Sequence, residues 1–221
     1  MEIIKAEEVH YSYQSKYQKI DAVRGISYSF EDGLMYAIVG ESGSGKSTFL
    51  SLLGGLDLPT KGKIYIDGED MTSLNRDNYR RESASIVYQS FNLFPLLTAQ
   101  ENVMFPMELT GVKRSLAKEK AARLIDQVGL RTQVLHQFPQ MMSGGEQQRV
   151  AIARAMAAGG KIILADEPTG NLDSENEKNI VTLLKDAAHK LGYAVIVITH
   201  NPEVAAKADF ILRMRDGRLV D

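Results

Sequence analysis

The run Gly40-Glu41-Ser42-Gly43-Ser44-Gly45-Lys46-Ser47-Thr48 has the residue types and spacing to hold a phosphate. Its glycines let the backbone fold back so that successive N–H groups point at one anion. Lys46 can bridge the outer phosphates, and Ser47 can offer a hydroxyl to Mg²⁺. Further on, Ile162-Ile163-Leu164-Ala165 is followed by Asp166 and Glu167, two carboxylates at the end of an apolar run. Such a pair often caps a helix or a turn. Behind a phosphate loop it reads instead as Asp166 holding Mg²⁺ through its water shell, with Glu167 one residue nearer the outer phosphate. His200 ends another apolar run, where ligands bind in parallel sheets. Ser143-Gly144-Gly145-Glu146 opens a helix. Ser143 and Glu146 form a capping box, which alone explains those two residues. Two consecutive glycines exceed what capping needs and leave a dipole end bare of side chains, a second anion-ready helix start.

The flanking elements fit these roles. Met35–Val39 reads as a buried strand into the loop, and Phe49–Leu53 as the start of the helix out of it. Residues 2–13 and 22–30 read as strands, and Asp32-Gly33 as a hairpin-type turn. Tyr11, Tyr13 and Tyr17 precede the loop; packing is the ordinary role for each, and Tyr13 is best placed to stack on a base instead. Lys63–Gly68 alternates as a strand, and Ser85–Gln89 is a short strand with a polar end. Residues 91–158 change character. Phe91, Leu93, Phe94 and Leu97 surround Pro95 in an apolar loop. Two readings stand for it: a contact surface, or packing within a helical lobe. Thr98 reads as an N-cap. Ser115 reads as the opening of a helix with Ala117, Ala121, Leu124, Ile125 and Val128 on one face and Gly129 as its stop. Ser174 and Glu177 read as a cap for a helix with Ile180, Leu183, Leu184, Ala187 and Leu191 on its face. A short helix and a hairpin around Asp216-Gly217 finish the chain.

The chain has 221 residues, 44% of them hydrophobic and 24% charged, with a net charge of −2. One large domain, or one domain with an inserted lobe, fits that length. The charge gives no electrostatic footprint for nucleic acid or an anionic membrane. Without cysteine there are neither disulfides nor thiolate metal sites. No apolar run is long enough to span a bilayer, and Met1–Lys5 lacks a signal-peptide pattern. The expectation is a soluble chain that serves a membrane, if at all, through a partner.

Jointly the motifs resemble the ATPase domain of ATP-binding-cassette (ABC) transporters over essentially the whole chain. Gly40–Thr48 matches Walker A, Gln89 the Q-loop, Ser143-Gly144-Gly145-Glu146-Gln147 the signature, and Ile162–Glu167 Walker B. Asn171-Leu172-Asp173 matches the D-loop, His200 the switch histidine and Tyr13 the A-loop aromatic. Leu53–Thr60 and Asp166–Asp173 look like the subgroup serving macrolide export, lipoprotein release and bacitracin-type peptide resistance. The pattern departs at Met142, where leucine is usual, at Asn201, where aspartate is common, and at Ala157–Gly160. None of these removes a catalytic group.

The resemblance implies an α/β fold: a P-loop NTPase core of mostly parallel sheet flanked by helices, an N-terminal antiparallel β subdomain and an inserted helical subdomain. The core would be 1–89 and 159–221, and the insertion 90–158. It implies ATP and Mg²⁺ as cofactors, with Ser47, Gln89 and Asp166 at the metal. Glu167 would activate water and His200 would contact the γ-phosphate. Tyr13, Gly40, Ser42, Gly43, Ser44, Gly45, Lys46, Ser47 and Thr48 would bind nucleotide from one copy. Ser143, Gly144, Gly145, Glu146 and Asp173 would do so from the other copy of a head-to-tail homodimer. An integral membrane permease would be the partner, with the chain cytoplasmic and peripheral on the inner face of the membrane. Export or extraction of a peptide, lipid-linked or antibiotic substrate is the expected task. Mechanical signalling across the envelope is the alternative within the class. A soluble ATPase acting on nucleic acid or ribosomes is a second alternative, but it lacks the expected tandem cassettes, coiled coils or basic tails. A P-loop kinase of small molecules leaves Ser143-Gly144-Gly145 and His200 unexplained.

Overall fold

The first thirty residues are rich in β-branched and aromatic side chains, which suits a pleated, half-buried surface. The computed structural model describes residues 1–15 and 18–220. Tyr17 lies outside them. Strands β1 (Glu2–Gln14) and β2 (Lys19–Glu31) pair antiparallel, with Tyr13 opposite Ile20. Then follow β3 (Met35–Val39), α1 (Lys46–Leu53), β4 (Lys61–Ile66), β5 (Glu69–Asp70), α2 (Arg76–Glu82) and β6 (Ala84–Tyr88). The helical stretch holds α3 (Ala99–Leu109), α4 (Arg114–Gln127) and α5 (Gly144–Ala157). The chain returns through β7 (Ile162–Asp166), α6 (Ser174–Leu191), β8 (Ala194–Ile198), α7 (Pro202–Ala205), β9 (Phe210–Arg215) and β10 (Arg218–Val220).

Two sheets result. One is antiparallel in the order β2-β1-β4-β5, and the other runs β10-β9-β3-β8-β7-β6, parallel except for β10. The inner parallel strands β3, β7 and β8 are buried on both faces, so they read as continuous apolar runs, while β9 is largely exposed. Ile38, Leu164 and Ile196 face a core shared with Phe49 and Leu52 of α1 and with Ile4, Phe30 and Ile64 of the antiparallel sheet. Val87, Ile163, Val195 and Val197 face the opposite way. They join a core that continues through α5 and α6 to Val103, Ala121 and Ile125 of α3 and α4.

Register puts the chemistry on one edge. Ile38 and Asp166 both pair with Ile198, and Tyr88 pairs with Asp166. The residues that follow β3, β6, β7 and β8 therefore emerge together at the carboxyl ends of the strands. These are the Gly40 loop, Gln89, Glu167 and His200.

Three local expectations are corrected, and one open reading is divided. Asp32-Gly33 is a turn, but no hairpin: it carries the chain from one sheet to the other, because turn chemistry does not specify pairing. Lys113, with no side-chain cap, precedes α4 rather than Ser115. Asp173 caps α6, accepting from Glu175 and Asn176 N–H, which moves Ser174 inside the helix. The apolar loop divides between its two readings. Leu93 packs on the core, while Phe94 is 40% and Leu96 86% exposed.

Candidate active site

The phosphate loop leaves β3 at Val39 and enters α1 through Gly45, the N-cap, at φ +98°. Gly43 turns at φ +80°, and no neighbour lies within 4 Å of a Cβ built there. Gly40 and Gly45 are glycine for another reason. A Cβ at Gly40 would overlap the Met214 carbonyl oxygen, and one at Gly45 would overlap that of Ala22. The first turn of α1 has neither a side-chain cap nor an acidic residue, so its N–H groups and dipole suit an anion. Lys46 is buried and donates to the carbonyls of Gly40 (2.8 Å) and Glu41 (2.7 Å) and to Ser44 Oγ (3.4 Å).

A cleft of about 690 Å³ lies over this loop. Tyr13, Gly40, Ser42, Gly43, Gly45, Lys46, Ser47, Thr48, Gln89, Asp166, Glu167 and His200 all line it. Ser44 does not; it is buried beneath the loop. Tyr13 OH lies 3.1 Å from Thr48 Oγ1, and its ring meets Tyr11 edge-on at 5.0 Å. Asp166 ends β7, where burial pushes its carboxyl up; a hydrogen bond from Ser47 pulls down, Glu167 pushes up and Lys46 pulls down. Glu167 sits at φ +49°, a costly backbone for a non-glycine residue. Its N–H bonds the Ile198 carbonyl at 3.0 Å. Its Oε2 lies 2.9 Å from Nδ1 of the exposed His200. Gln89 Nε2 donates to Asn171 Oδ1, and Asn171 Nδ2 donates back to the Gln89 carbonyl, both at 3.1 Å.

The remaining expected residues lie outside this cleft and serve their own helices. Ser143 Oγ accepts from Glu146 N–H, and Glu146 Oε2 accepts from Ser143 N–H (2.8 Å), a complete capping box for α5. A Cβ at Gly145 would overlap the Asn176 side chain, so close packing of α5 on α6 already requires that glycine. A Cβ at Gly144 would make ordinary contact with Leu172. Asp173 accepts from Glu175 N–H (3.1 Å) and Asn176 N–H (2.9 Å).

Other lining residues were not legible in the sequence. Ile20, Asp21, Ala22 and Arg24 come from β2, and Asp216-Gly217 from the β9–β10 turn. The β1–β2 register supplies the signal for Ile20, because it stands opposite Tyr13. Ala22 and Gly217 meet the loop through backbone atoms, which leave no signature in side-chain type.

A phosphate loop, two carboxylates and a histidine at the carboxyl edge of a parallel sheet define a P-loop ATPase. The comparisons with known proteins narrow the class. The family model described as ABC transporter matches residues 23–170, and the chain belongs to that family. It is 42% identical to the uncharacterised ABC transporter ATP-binding protein YclH of Bacillus subtilis, covering 98% of this chain and 95% of that one. It is 43% identical to the lipoprotein-releasing system ATP-binding protein LolD of Saccharophagus degradans, covering 98% and 96%. Identity to the macrolide export ATP-binding/permease protein MacB of Brucella melitensis is 42%, but the chain spans only 34% of that protein. A dimeric ATP-binding cassette in a post-hydrolysis state, bound to ADP and Pi, superposes with a TM-score of 0.89 at 36% identity, covering 99% and 97%. The chain is thus an ATP-binding and ATP-hydrolysing cassette of the kind found with macrolide-export and lipoprotein-release systems. Among the described residues no helix is long and apolar enough to cross a membrane.

Proposed function

We propose that two copies of this chain close head to tail on ATP and drive a separate integral membrane permease from the cytoplasmic face. The task assigned is export or extraction of a peptide, lipid-linked or antibiotic substrate. The observation that carries the proposal is the Glu167–His200 pair, 2.9 Å apart, beside the Asp166–Ser47 pair above the phosphate loop. Glu167 takes the proton of the attacking water, worth about 10²–10⁴-fold as a positioned base. His200 turns Nδ1 to Glu167 and keeps Nε2 for the γ-phosphate. Lys46 exchanges its two carbonyl partners for phosphate oxygens, and Tyr13 stacks on the base.

Hard oxygen donors fit Mg²⁺, which takes one or two carboxylates and leaves the rest of its shell to phosphates and water. Asp166 and Ser47 are already paired, and Gln89 adds an amide oxygen. Among the described residues no cluster of three His, Cys, Asp or Glu forms a dedicated metal cage, as MgATP sites do not require one. When bound, Mg²⁺ supplies neutralisation of phosphate charge.

Ser143, Gly144, Gly145, Glu146 and Asp173 are assigned to the nucleotide of the other copy. Their distance from this chain's own cleft supports that, as does the dimeric ADP-bound cassette to which the chain is similar. We assign residues 90–158 as the moving helical subdomain on a core of 1–89 and 159–221. Its contact with the permease is the knuckle after Gln89. Buried Asn102 holds that knuckle through Phe94 N–H (2.8 Å) and the carbonyls of Phe94, Leu97 and Thr98. Arg154 holds the Phe91 and Asn92 carbonyls. A rigid knuckle that exposes Phe94 and Leu96 suits docking. The test is sedimentation of Glu167→Gln with ATP-Mg²⁺ and with ADP. A dimer with ATP alone is expected; a monomer in both would overturn the closed homodimer.

A further inference from the structure

The hairpin β9–β10 packs against the phosphate loop, its Asp216-Gly217 turn lines the same cleft, and it has no assigned role. Gly217 N–H donates to the Ser44 carbonyl at 3.0 Å, and the Gly217 carbonyl accepts from Arg24 N–H at 2.8 Å. Met214, three residues earlier, puts its carbonyl under Gly40 and its Cε under Gly45, 2.9 Å from where a Cβ would stand. Ala22 of β2 closes the other side of Gly45. Strands from the two ends of the chain thus form a collar around Gly40–Gly45.

The consequence follows from peptide geometry. In a trans peptide the carbonyl of one residue and the N–H of the next point in opposite directions. The Ser44 carbonyl points to Gly217, so the Gly45 N–H points away from the hairpin, at a residue that itself lines the cleft. Glycine at 45 adopts either sign of φ with little penalty, so its own sterics do not hold that plane. We infer that Gly217 is a positioning residue for nucleotide binding: by holding the Ser44 carbonyl it fixes the Ser44–Gly45 peptide with its N–H presented to phosphate. This rests on the loop being the nucleotide site. It moves the origin of the loop's shape from the glycines alone to a hairpin some 170 residues further along the chain.

Gly217→Ala tests it. The residue sits at φ +79°, and a Cβ there would stand 2.9 Å from the Ala22 carbonyl oxygen, so the alanine pushes the turn off the loop. ADP affinity is measured by calorimetry on the full chain, with ¹⁵N-glycine labelling to follow the Gly45 amide. The Kd for ADP should rise about tenfold or more, the worth of one charge-assisted bond, and the ADP-induced shift of the Gly45 amide should be lost while that of Gly43 remains. A folded Gly217→Ala chain with ADP affinity within twofold of the parent and an unchanged Gly45 shift overturns the inference. If that variant does not fold, Met214→Ala decides. It should weaken ADP binding while Met214→Leu, which keeps the volume, restores it; equal affinity in both overturns the proposal. Lys46→Ala separates the two levels. If it loses ADP and Gly217→Ala does not, only the hairpin's role falls; if Lys46→Ala also binds normally, the loop reading falls and takes the inference with it.

Discussion

Gly145→Ala should destabilise the chain, and removing Asn176 should reverse the sign. Gly145 is the second residue of α5, where a methyl group would overlap Asn176 Oδ1 and Cγ and lie 3.1 Å from its Cβ. Asn176 cannot simply swing away, because its Nδ2 donates to Asp173 Oδ2 at 2.9 Å and Arg149 Nη1 reaches its Oδ1 at 3.4 Å. Forcing a methyl into filled space costs about 1–3 kcal/mol. Alanine in place of glycine in a helix returns up to about 1 kcal/mol. The net loss should therefore be about 1 kcal/mol. In an Asn176→Ala background the overlap with Oδ1 and Cγ disappears, while the 3.1 Å approach to the retained Cβ must ease by a few tenths of an ångström, so the same substitution should stabilise by less than about 1 kcal/mol. Urea unfolding of the four chains gives the coupling, expected at about 1–2 kcal/mol. Equal effects of Gly145→Ala in both backgrounds, within about 0.5 kcal/mol, would refute packing on Asn176 as the reason for the glycine. ATPase assays on the same set separate the second role. If activity returns with stability in the double variant, the glycine serves packing alone. If it stays low, the proposed approach to the other copy's nucleotide stands.

Glu167→Gln should keep ATP binding and lower kcat by about 10²–10⁴-fold, measured by phosphate release; near-full turnover would sink the assignment. Thr98→Ala removes the reciprocal cap of α3, in which Glu101 Oε2 accepts from Thr98 N–H at 3.0 Å, and should cost about 1 kcal/mol in urea unfolding, with Thr98→Ser nearly neutral. Burial pushes the Asp209 carboxyl up, but Met35 N–H and His189 more than offset that and hold it below its ordinary value. A depressed carboxylate stabilises the fold above its unfolded pKa, so the stability gap between the parent and Asp209→Asn should be full above about pH 5 and close as pH falls below about 4. Polar replacement of Phe91 and Phe94 together should uncouple the permease without abolishing ATPase; unchanged coupling in reconstituted vesicles would count against docking through the knuckle.

The sequence made the buried strands legible because both of their faces are covered. Met35–Val39 and Ala194–Ile198 are apolar from end to end, Ile162–Asp166 is apolar up to its last residue, and each is a strand. Spacing made the phosphate loop legible, because glycine, lysine and hydroxyl types recur there for chemical reasons. What stayed hidden has physical causes too. Helix α2 has seven residues and buries only Tyr79, so it carries no amphipathic period. Asp173 and Ser174 are both good caps, and nothing local chooses between them. Ala22, Met214 and Gly217 support the phosphate loop through backbone carbonyl and N–H groups that do not depend on side-chain type. Only the fold shows which backbone is close.

If α5 tilts on its root, as the proposed movement of residues 90–158 requires, it acts as a lever. Its C-terminal end is fixed: Ser85 Oγ donates to the Ala155 carbonyl at 3.0 Å, and Arg154 grips the Phe91 and Asn92 carbonyls just after Gln89. Its N-terminal end carries Ser143 and two glycines and packs on Asn176 of α6. Fourteen residues make a rod with no interior proline, about 21 Å long at 1.5 Å per residue. A tilt of about 10° at the root displaces the tip by roughly 3–4 Å over that length. A stroke of that size would carry the tip beyond hydrogen-bonding reach of a group it holds, and off Asn176 unless α6 moves with it. Helix length sets that stroke, so lengthening α5 by one turn would change it without touching a single catalytic side chain.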